Sequence, residues 1–330
     1  MNRRAFLTAL TTAAAAVAAP GTAKTVLARD AAAAGDPLAT LLDLSQCVGC
    51  GACVAACRDA HAADYPEPQK PFPKMSPARV KAEDFSGARD VDDRLTPYNW
   101  LYIQTATVTR DGRELTVNIP RRCMHCVHPP CAELCPWGAA AKYPDGAVRI
   151  ATDICLGGAK CRTVCPWQIP QRQTGVGLYL DLMPRFAGNG VMYKCDRCRE
   201  RMAAGAQPAC IEACPNGVQT IGPRAEIVAA AHALAQKTGG FVYGATENGG
   251  TNTIYVSPVP FSELDAAVAK GPGRPGLGKT ADVMGEQANL ATSVLLAPVA
   301  GVVAGALRLY SRAKDARKEH NTEDRHDADA

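Results

Sequence analysis

Aromatic residues are scarce in this chain, only 5% of 330 positions, so rings cannot be the main filling of its interior. The formal net charge is a small +4, which identifies no partner, and nothing points to nucleic acid. The long stretches around the cysteines contain no glycine-rich nucleotide loop and no nucleophile paired with a base. These stretches therefore give no sign of nucleotide-dependent chemistry or of covalent catalysis.

Cysteine, by contrast, is abundant: fifteen residues in four groups. They read Cys47-x2-Cys50-x2-Cys53-x3-Cys57, Cys123-x2-Cys126-x4-Cys131-x3-Cys135-Pro136, Cys155-x5-Cys161-x3-Cys165-Pro166 and Cys195-x2-Cys198-x11-Cys210-x3-Cys214-Pro215. Three thiolates on a tight loop reach three irons of one cubane iron–sulfur cluster. The fourth cysteine starts away on a helix and, in two-cluster ferredoxins, ligates the neighbouring cluster. Four groups therefore imply four clusters in two ferredoxin-like pairs, which makes the chain an electron wire. Low aromatic content fits an interior filled by inorganic clusters. Structural zinc also uses Cys-x2-Cys pairs, but does not require the recurrent spacing ending in Cys-Pro. A disulfide framework favours short chains with an even count, whereas this chain is long and its count odd.

The odd count has a location. Gly158 stands where the third group should carry its second cysteine. That cluster keeps Cys155, Cys161 and one cysteine from another group, a set suited to a [3Fe–4S] centre or an incompletely cysteine-ligated [4Fe–4S] cube. Asp153 and Lys160 are near enough in sequence to be considered as substitute ligands, and neither is favoured.

The chain ends say where the wire runs. Asn2 to Leu7 read N-R-R-A-F-L before an alanine-rich apolar run, a twin-arginine export signal in pattern. Clusters inserted in the cytoplasm require export of a folded carrier, which that route provides. Residues 288–307 carry no charge over twenty positions, enough to cross a bilayer as one helix. Arg308, Arg312, Lys314, Arg317 and Lys318 follow, which puts that flank in the cytoplasm and the body in the periplasm. A buried or amphipathic helix is the competing reading of 288–307. Residues 308–330 form a basic, then acidic, solvated tail.

Between these ends the fold class is α+β: two ferredoxin-like bis-[4Fe–4S] modules with loop and hairpin insertions, completed by the C-terminal transmembrane helix. The expected division is 1–34 signal and linker; 35–122 first half-module with a hairpin; 123–194 second module; 195–270 completion of the first module; 271–287 linker; 288–307 span; 308–330 tail. Residues 58–93 read as a proline- and charge-rich loop, 100–119 and 241–259 as hairpins, and Arg224 to Lys237 as a helix.

The group order, the Cys-Met-His-Cys run at Cys123 to Cys126, the paired arginines and the C-terminal span resemble the four-cluster ferredoxin subunits of membrane-bound respiratory oxidoreductases. The resemblance covers nearly the whole chain and is greatest to the electron-transfer subunit of hydrogenase-2-type [NiFe] hydrogenases. It implies that Cys47, Cys50, Cys53 and Cys214 hold one cluster, and Cys57, Cys195, Cys198 and Cys210 its neighbour. Cys123, Cys126, Cys131 and Cys165 would hold the third, and Cys135, Cys155 and Cys161 the fourth, open at Gly158. The hydrogenase relatives normally have cysteine at that slot. Nitrate reductase beta subunits replace it with tryptophan and hold a [3Fe–4S] cluster near the membrane subunit, so the altered cluster is the expected exit toward quinone. The resemblance further implies partners: a catalytic oxidoreductase, a [NiFe] hydrogenase by preference, and an integral membrane quinone-binding subunit, in anaerobic respiration. The beta subunit of membrane-bound formate dehydrogenase is the alternative.

Other residues have humbler expectations. His125 and His128 are read as packing or supporting groups rather than ligands. Lys160, Arg162, Arg197 and Arg199 are read as surface charges that could also tune a cluster. Trp137 and Trp167, each after a Cys-Pro, are expected to pack against clusters.

Overall fold

Strands deliver the chain to each cysteine group. The computed structural model describes residues 36–285 other than 76–77, 111 and 183–188. Within these, β1 (Leu38–Asp43) leads to Cys47, and the hairpin of β2 (Tyr102–Arg110) and β3 (Arg113–Arg121) leads to Cys123. The pair β4 (Ala140–Lys142) and β5 (Val148–Ile150) leads to Cys155, and β6 (Gln171–Gln173) with β7 (Val191–Tyr193) leads to Cys195. Arg110 pairs with Arg113, so the first hairpin closes through a two-residue turn, and Gly112 supplies the positive φ of +72° that such turns require.

Helices then carry the later cysteines of each group. They are α1 (Ala52–Ala60), α2 (Pro130–Glu133), α3 (Lys160–Thr163), α4 (Tyr179–Leu182), α5 (Arg199–Ala203) and α6 (Ala209–Glu212). The single turns α2, α3 and α6 stop just before Cys135-Pro136, Cys165-Pro166 and Cys214-Pro215, because a proline ring cannot continue the helix. α1 packs on α6 and α2 packs on α3, so the first group meets the fourth and the second meets the third.

The last described part of the chain adds a scaffold. β8 (Gln219–Pro223), β9 (Phe241–Tyr243) and β10 (Thr253–Ser257) join β1 in a four-stranded sheet of order β8-β1-β10-β9, with β1 parallel to β10 and the other pairs antiparallel. Across it lies α7 (Arg224–Thr238), whose Ile227, Ala231 and Ala235 form one stripe buried on Ala39, Ile254 and Val256. Burial of Ile227 contributes about 2 kcal/mol. Gly239, at φ +67°, ends the helix in the left-handed conformation. α8 (Phe261–Ala267) packs on β2.

Two stretches differ from the expectation. The loop read from residue 58 begins as the continuation of α1 through Ala60. The stretch read as a linker is held to the body: the Leu95 amide donates to Gly273 O, Arg274 pairs with Asp93, and Leu277 is buried. The signal at 1–34, the span at 288–307 and the tail at 308–330 lie outside the described residues. Among the described residues no helix is long and apolar enough to cross a membrane.

The proline-rich loop is stitched to the second and third groups' half of the molecule through Glu83. Its carboxylate accepts from Arg162 at 2.6 and 2.8 Å and from Arg172 at 2.5 Å. Burial alone would raise the Glu83 carboxyl, but the two guanidinium groups outweigh it and hold it below its ordinary value of 4.5. A carboxyl lowered on folding stabilises fully above its unfolded value and loses that contribution as pH falls through the folded one. Glu83→Gln should therefore cost roughly 2 kcal/mol at pH 7. In denaturant melts the gap between variant and parent should narrow progressively below pH 4.5.

Candidate functional site

All fifteen cysteines are free thiols, and the fold gathers them into four sets. Cys47, Cys50, Cys53 and Cys214 line one cavity, floored by Gly49, Gly51, Ile103 and Val218. Cys57, Cys195, Cys198 and Cys210 line a second, shared with Arg122 and His125. In the third set the charge of Cys126 is felt together with those of Cys123, Cys131 and Cys165, and in the fourth Cys161 is grouped with Cys135 and Cys155. Sulfur charges also act across sets: Cys53 with Cys210, Cys195 with Cys123, Cys131 with Cys161. With the α1–α6 and α2–α3 helix packing and His125 set between Cys195 and Cys123, these couplings link the first set to the second, the second to the third and the third to the fourth.

One backbone rule shapes the loops. The residue two positions after the first cysteine of each group is left-handed: Gly49 at φ +71°, His125 at +47°, Gly157 at +62° and Arg197 at +64°. This turn reverses the loop just before the next residue. That next residue is Cys50, Cys126, Gly158 and Cys198 respectively, so the structure gives Gly158 the same loop position as three cysteines. Amide groups of the loops point at sulfur: His125 N–H donates to Cys123 Sγ at 3.5 Å and Met192 N–H to Cys155 Sγ at 3.5 Å.

The electrostatics test what such sets could hold. Burial pushes the thiols of Cys53, Cys161 and Cys195 up to about 12 and those of Cys165 and Cys198 to about 11. Without a bound cationic centre these sulfurs stay protonated at neutral pH; iron is the kind of centre that holds them as thiolates. Two buried cations make the complementary point. Arg122 Nη1 donates to Cys210 Sγ at 2.9 Å and to Gln219 Oε1 at 2.5 Å, while Lys194 donates to the carbonyls of Val148 and Cys195. Among the described residues neither has a carboxylate partner. For both, burial alone would lower the pKa, yet neighbouring thiolate charge raises it. Buried cations need compensation, and here sulfur supplies the leading anionic contribution. The residues thus fit anionic iron–sulfur groups.

Single zinc ions fit less well. Among the described residues no three His, Cys, Asp or Glu side chains converge on a position for one metal ion, although the cysteines stand in sets. Ligands of a cube are spread around its corners.

The supporting residues differ from those singled out by sequence. His125 is buried, its Nδ1 accepts from Val148 N–H at 3.0 Å and its Nε2 lies 3.7 Å from Cys195 Sγ. Burial, then the nearby cations Arg197 and Lys194, holds its pKa well below the ordinary value, so it is neutral. His61, not noticed in the sequence, places Nε2 3.5 Å from Cys198 Sγ and Nδ1 3.0 Å from Asp64. Arg122 and Lys194 were also missed; the readable signal was a basic residue immediately before the first cysteine of the second and fourth groups. Arg197 is buried and donates to the carbonyls of Leu38, Asp145 and Asn252, whereas Arg199, Lys160, Asp153 and His128 are exposed. Arg162 serves Glu83. Trp167 is buried and donates to Tyr243 Oη at 2.8 Å, but Trp137 is 59% exposed rather than packed inside.

With this geometry in place, comparison with known proteins is specific. Two family models, each described as a 4Fe-4S dicluster domain, match residues 46–139 and 116–224. A protein of Nitratidesulfovibrio vulgaris is 32% identical over 268 residues, covering 79% of this chain and 66% of its own. The hydrogenase-2 operon protein HybA of Escherichia coli O157:H7 is 30% identical over 300 residues, covering 80% of this chain and 83% of its own. The iron-sulfur subunit of the nitrate-inducible formate dehydrogenase of Escherichia coli K12 is 26% identical over 226 residues, covering 66% and 67%. Thiol sets in single file, compensating buried cations and these relatives together make the chain a member of the ferredoxin-like iron–sulfur electron-transfer subunits of respiratory oxidoreductases.

Proposed function

We propose that the chain relays single electrons from a periplasmic [NiFe] hydrogenase to a quinone-reactive membrane subunit. The first three cysteine sets would each hold a [4Fe–4S] cluster, and Cys135, Cys155 and Cys161 a [3Fe–4S] cluster open at Gly158. Such clusters supply one-electron storage; the chain supplies their ligands, order and surroundings. The carrying observation is the single file of thiol sets, because a relay needs successive stations and two accessible ends. At the first end Cys50 is exposed and Val48 is 67% exposed; at the last, Trp137 and Ile154 stand out beside Cys135 and Cys155. These apolar side chains flank the terminal sets and suit docking of an electron donor and an acceptor.

The hydrogenase partner is favoured because HybA resembles the chain over more of its length than the formate dehydrogenase subunit does. Export by the twin-arginine route and a C-terminal anchor at 288–307 complete the proposal, with lipid as a further partner. The test is purification from membranes with native partners, identification of these by mass spectrometry, and addition of hydrogen and then formate. Hydrogen-dependent bleaching of the cluster absorbance with a [NiFe] partner is expected. Formate-dependent bleaching with a molybdenum or tungsten partner would replace the hydrogenase reading by the alternative, and a colourless, iron-free protein would defeat both.

A further inference from the structure

Side-chain nitrogens are distributed unevenly over the four thiol sets. The second set, Cys57, Cys195, Cys198 and Cys210, is met by three: Arg122 Nη1 at 2.9 Å from Cys210 Sγ, His61 Nε2 at 3.5 Å from Cys198 Sγ and His125 Nε2 at 3.7 Å from Cys195 Sγ. The donor role is unambiguous for two of these. Arginine is always protonated and has no acceptor. In His125 the Nδ1 accepts the Val148 amide hydrogen at 3.0 Å, so the neutral ring carries its proton on Nε2 and can only donate from there. Arg122 also acts on Cys53 of the first set, but only through space, since its hydrogen bond goes to Cys210.

Reduction adds negative charge to a cluster, and hydrogen bonds or cations at its sulfurs stabilise the reduced form more than the oxidised one. We infer that Arg122 and His125 are positioning residues that make the second set the electron-holding station of its module, reduced more readily than the cluster at Cys47, Cys50, Cys53 and Cys214. The inference rests on the reading that both sets hold iron–sulfur clusters. It also gives the two residues a direction: each belongs by sequence to the loop of the third set, yet each serves the second. His125 joins the two modules, with its ring at Cys195 and its own amide at Cys123.

The test is potentiometric titration, followed by electron paramagnetic resonance, of the full-length protein purified in its complex. Arg122→Met and His125→Met remove the donors at similar side-chain length; Arg122→Lys and His125→Gln keep one. Both methionine variants are expected to lower the same single midpoint. The electron-sharing constant with the neighbouring cluster should change about tenfold, equivalent to about 59 mV for one electron. The lysine and glutamine variants should return that midpoint toward the parent. If Arg122→Met does not assemble, the His125 pair decides alone. Unmoved midpoints at parental iron content, or shifts of two different clusters, overturn the inference. Iron loss in both the methionine and the conservative variants also overturns it, since the role would then be structural. A parent protein lacking cluster iron would instead defeat the underlying reading, before any variant is made.

Discussion

Gly158→Cys is expected to convert the proposed fourth centre from a three-iron to a four-iron cluster. The substituted position follows left-handed Gly157 just as Cys50, Cys126 and Cys198 follow Gly49, His125 and Arg197, so the new thiol takes the loop position those cysteines hold. Nothing lies within 4 Å of a Cβ built at Gly158, and its φ is outside the range that penalises a side chain. The change therefore adds a ligand without steric cost. Iron per chain should rise by one, the signal of the oxidised three-iron centre should disappear, and the centre's potential should fall because a thiolate brings negative charge. Persistence of the original signal in the variant would show that the open corner is occupied by something else. The neighbouring glycine gives the contrast: a Cβ at Gly157 would lie 2.3 Å from Gly190 O.

Gly190→Ala should be the most damaging small substitution near the same centre. Its Cβ would lie 1.7 Å from Gln173 O and 2.6 Å from Gln173 C, and its φ is +87°. Both neighbours are backbone of β6, which cannot swing aside as a side chain can. The alanine must separate β6 from β7 and disturb the Met192 N–H that points at Cys155 Sγ. Steric and conformational costs together reach about 4 kcal/mol or more. The expected result is loss of iron from the centre proposed at Cys135, Cys155 and Cys161, with the other proposed clusters retained. Iron analysis and resonance spectra of Gly190→Ala beside the parent check it; an undiminished fourth signal would show that the strands can part without loosening their loop.

The four cysteine groups were legible because each is a local pattern of spacing, whereas the sets that join group one to group four and group two to group three were implied only by the family resemblance. Cys53 and Cys57 sit one helical turn apart, and each Cys-Pro ends a helix for a reason contained in the dipeptide. The hairpin at Gly112 and the helix α7 were readable for similar reasons, a short-range turn residue and an alanine-rich run. The reach of Arg122 and Lys194 was not. Arg122 precedes Cys123 but contacts Cys210, and Lys194 precedes Cys195 but acts on Cys123 and Cys131. Their targets are set by how the two helix pairs face each other, which no local spacing encodes. The same holds for Glu83, whose partners Arg162 and Arg172 lie far along the chain. Trp137 misled because an apolar ring beside a ligand suggests burial, whereas this one faces outward at the end of the file.

The pairing of helices has a consequence for how the protein is made. Group one lies against group four, while groups two and three lie against each other, so the chain is nested like a bracket within a bracket. A ribosome releases the inner pair complete once Cys165 has emerged, but Cys47, Cys50 and Cys53 must wait for Cys214. The inner bracket closes over a short loop and the outer over a long one, which favours inside-out maturation. Between those moments the first-born cysteines are the last to meet their partners. On the proposed ligation, that loop has its full set of cysteines only after residues at the far end of the fold have been made.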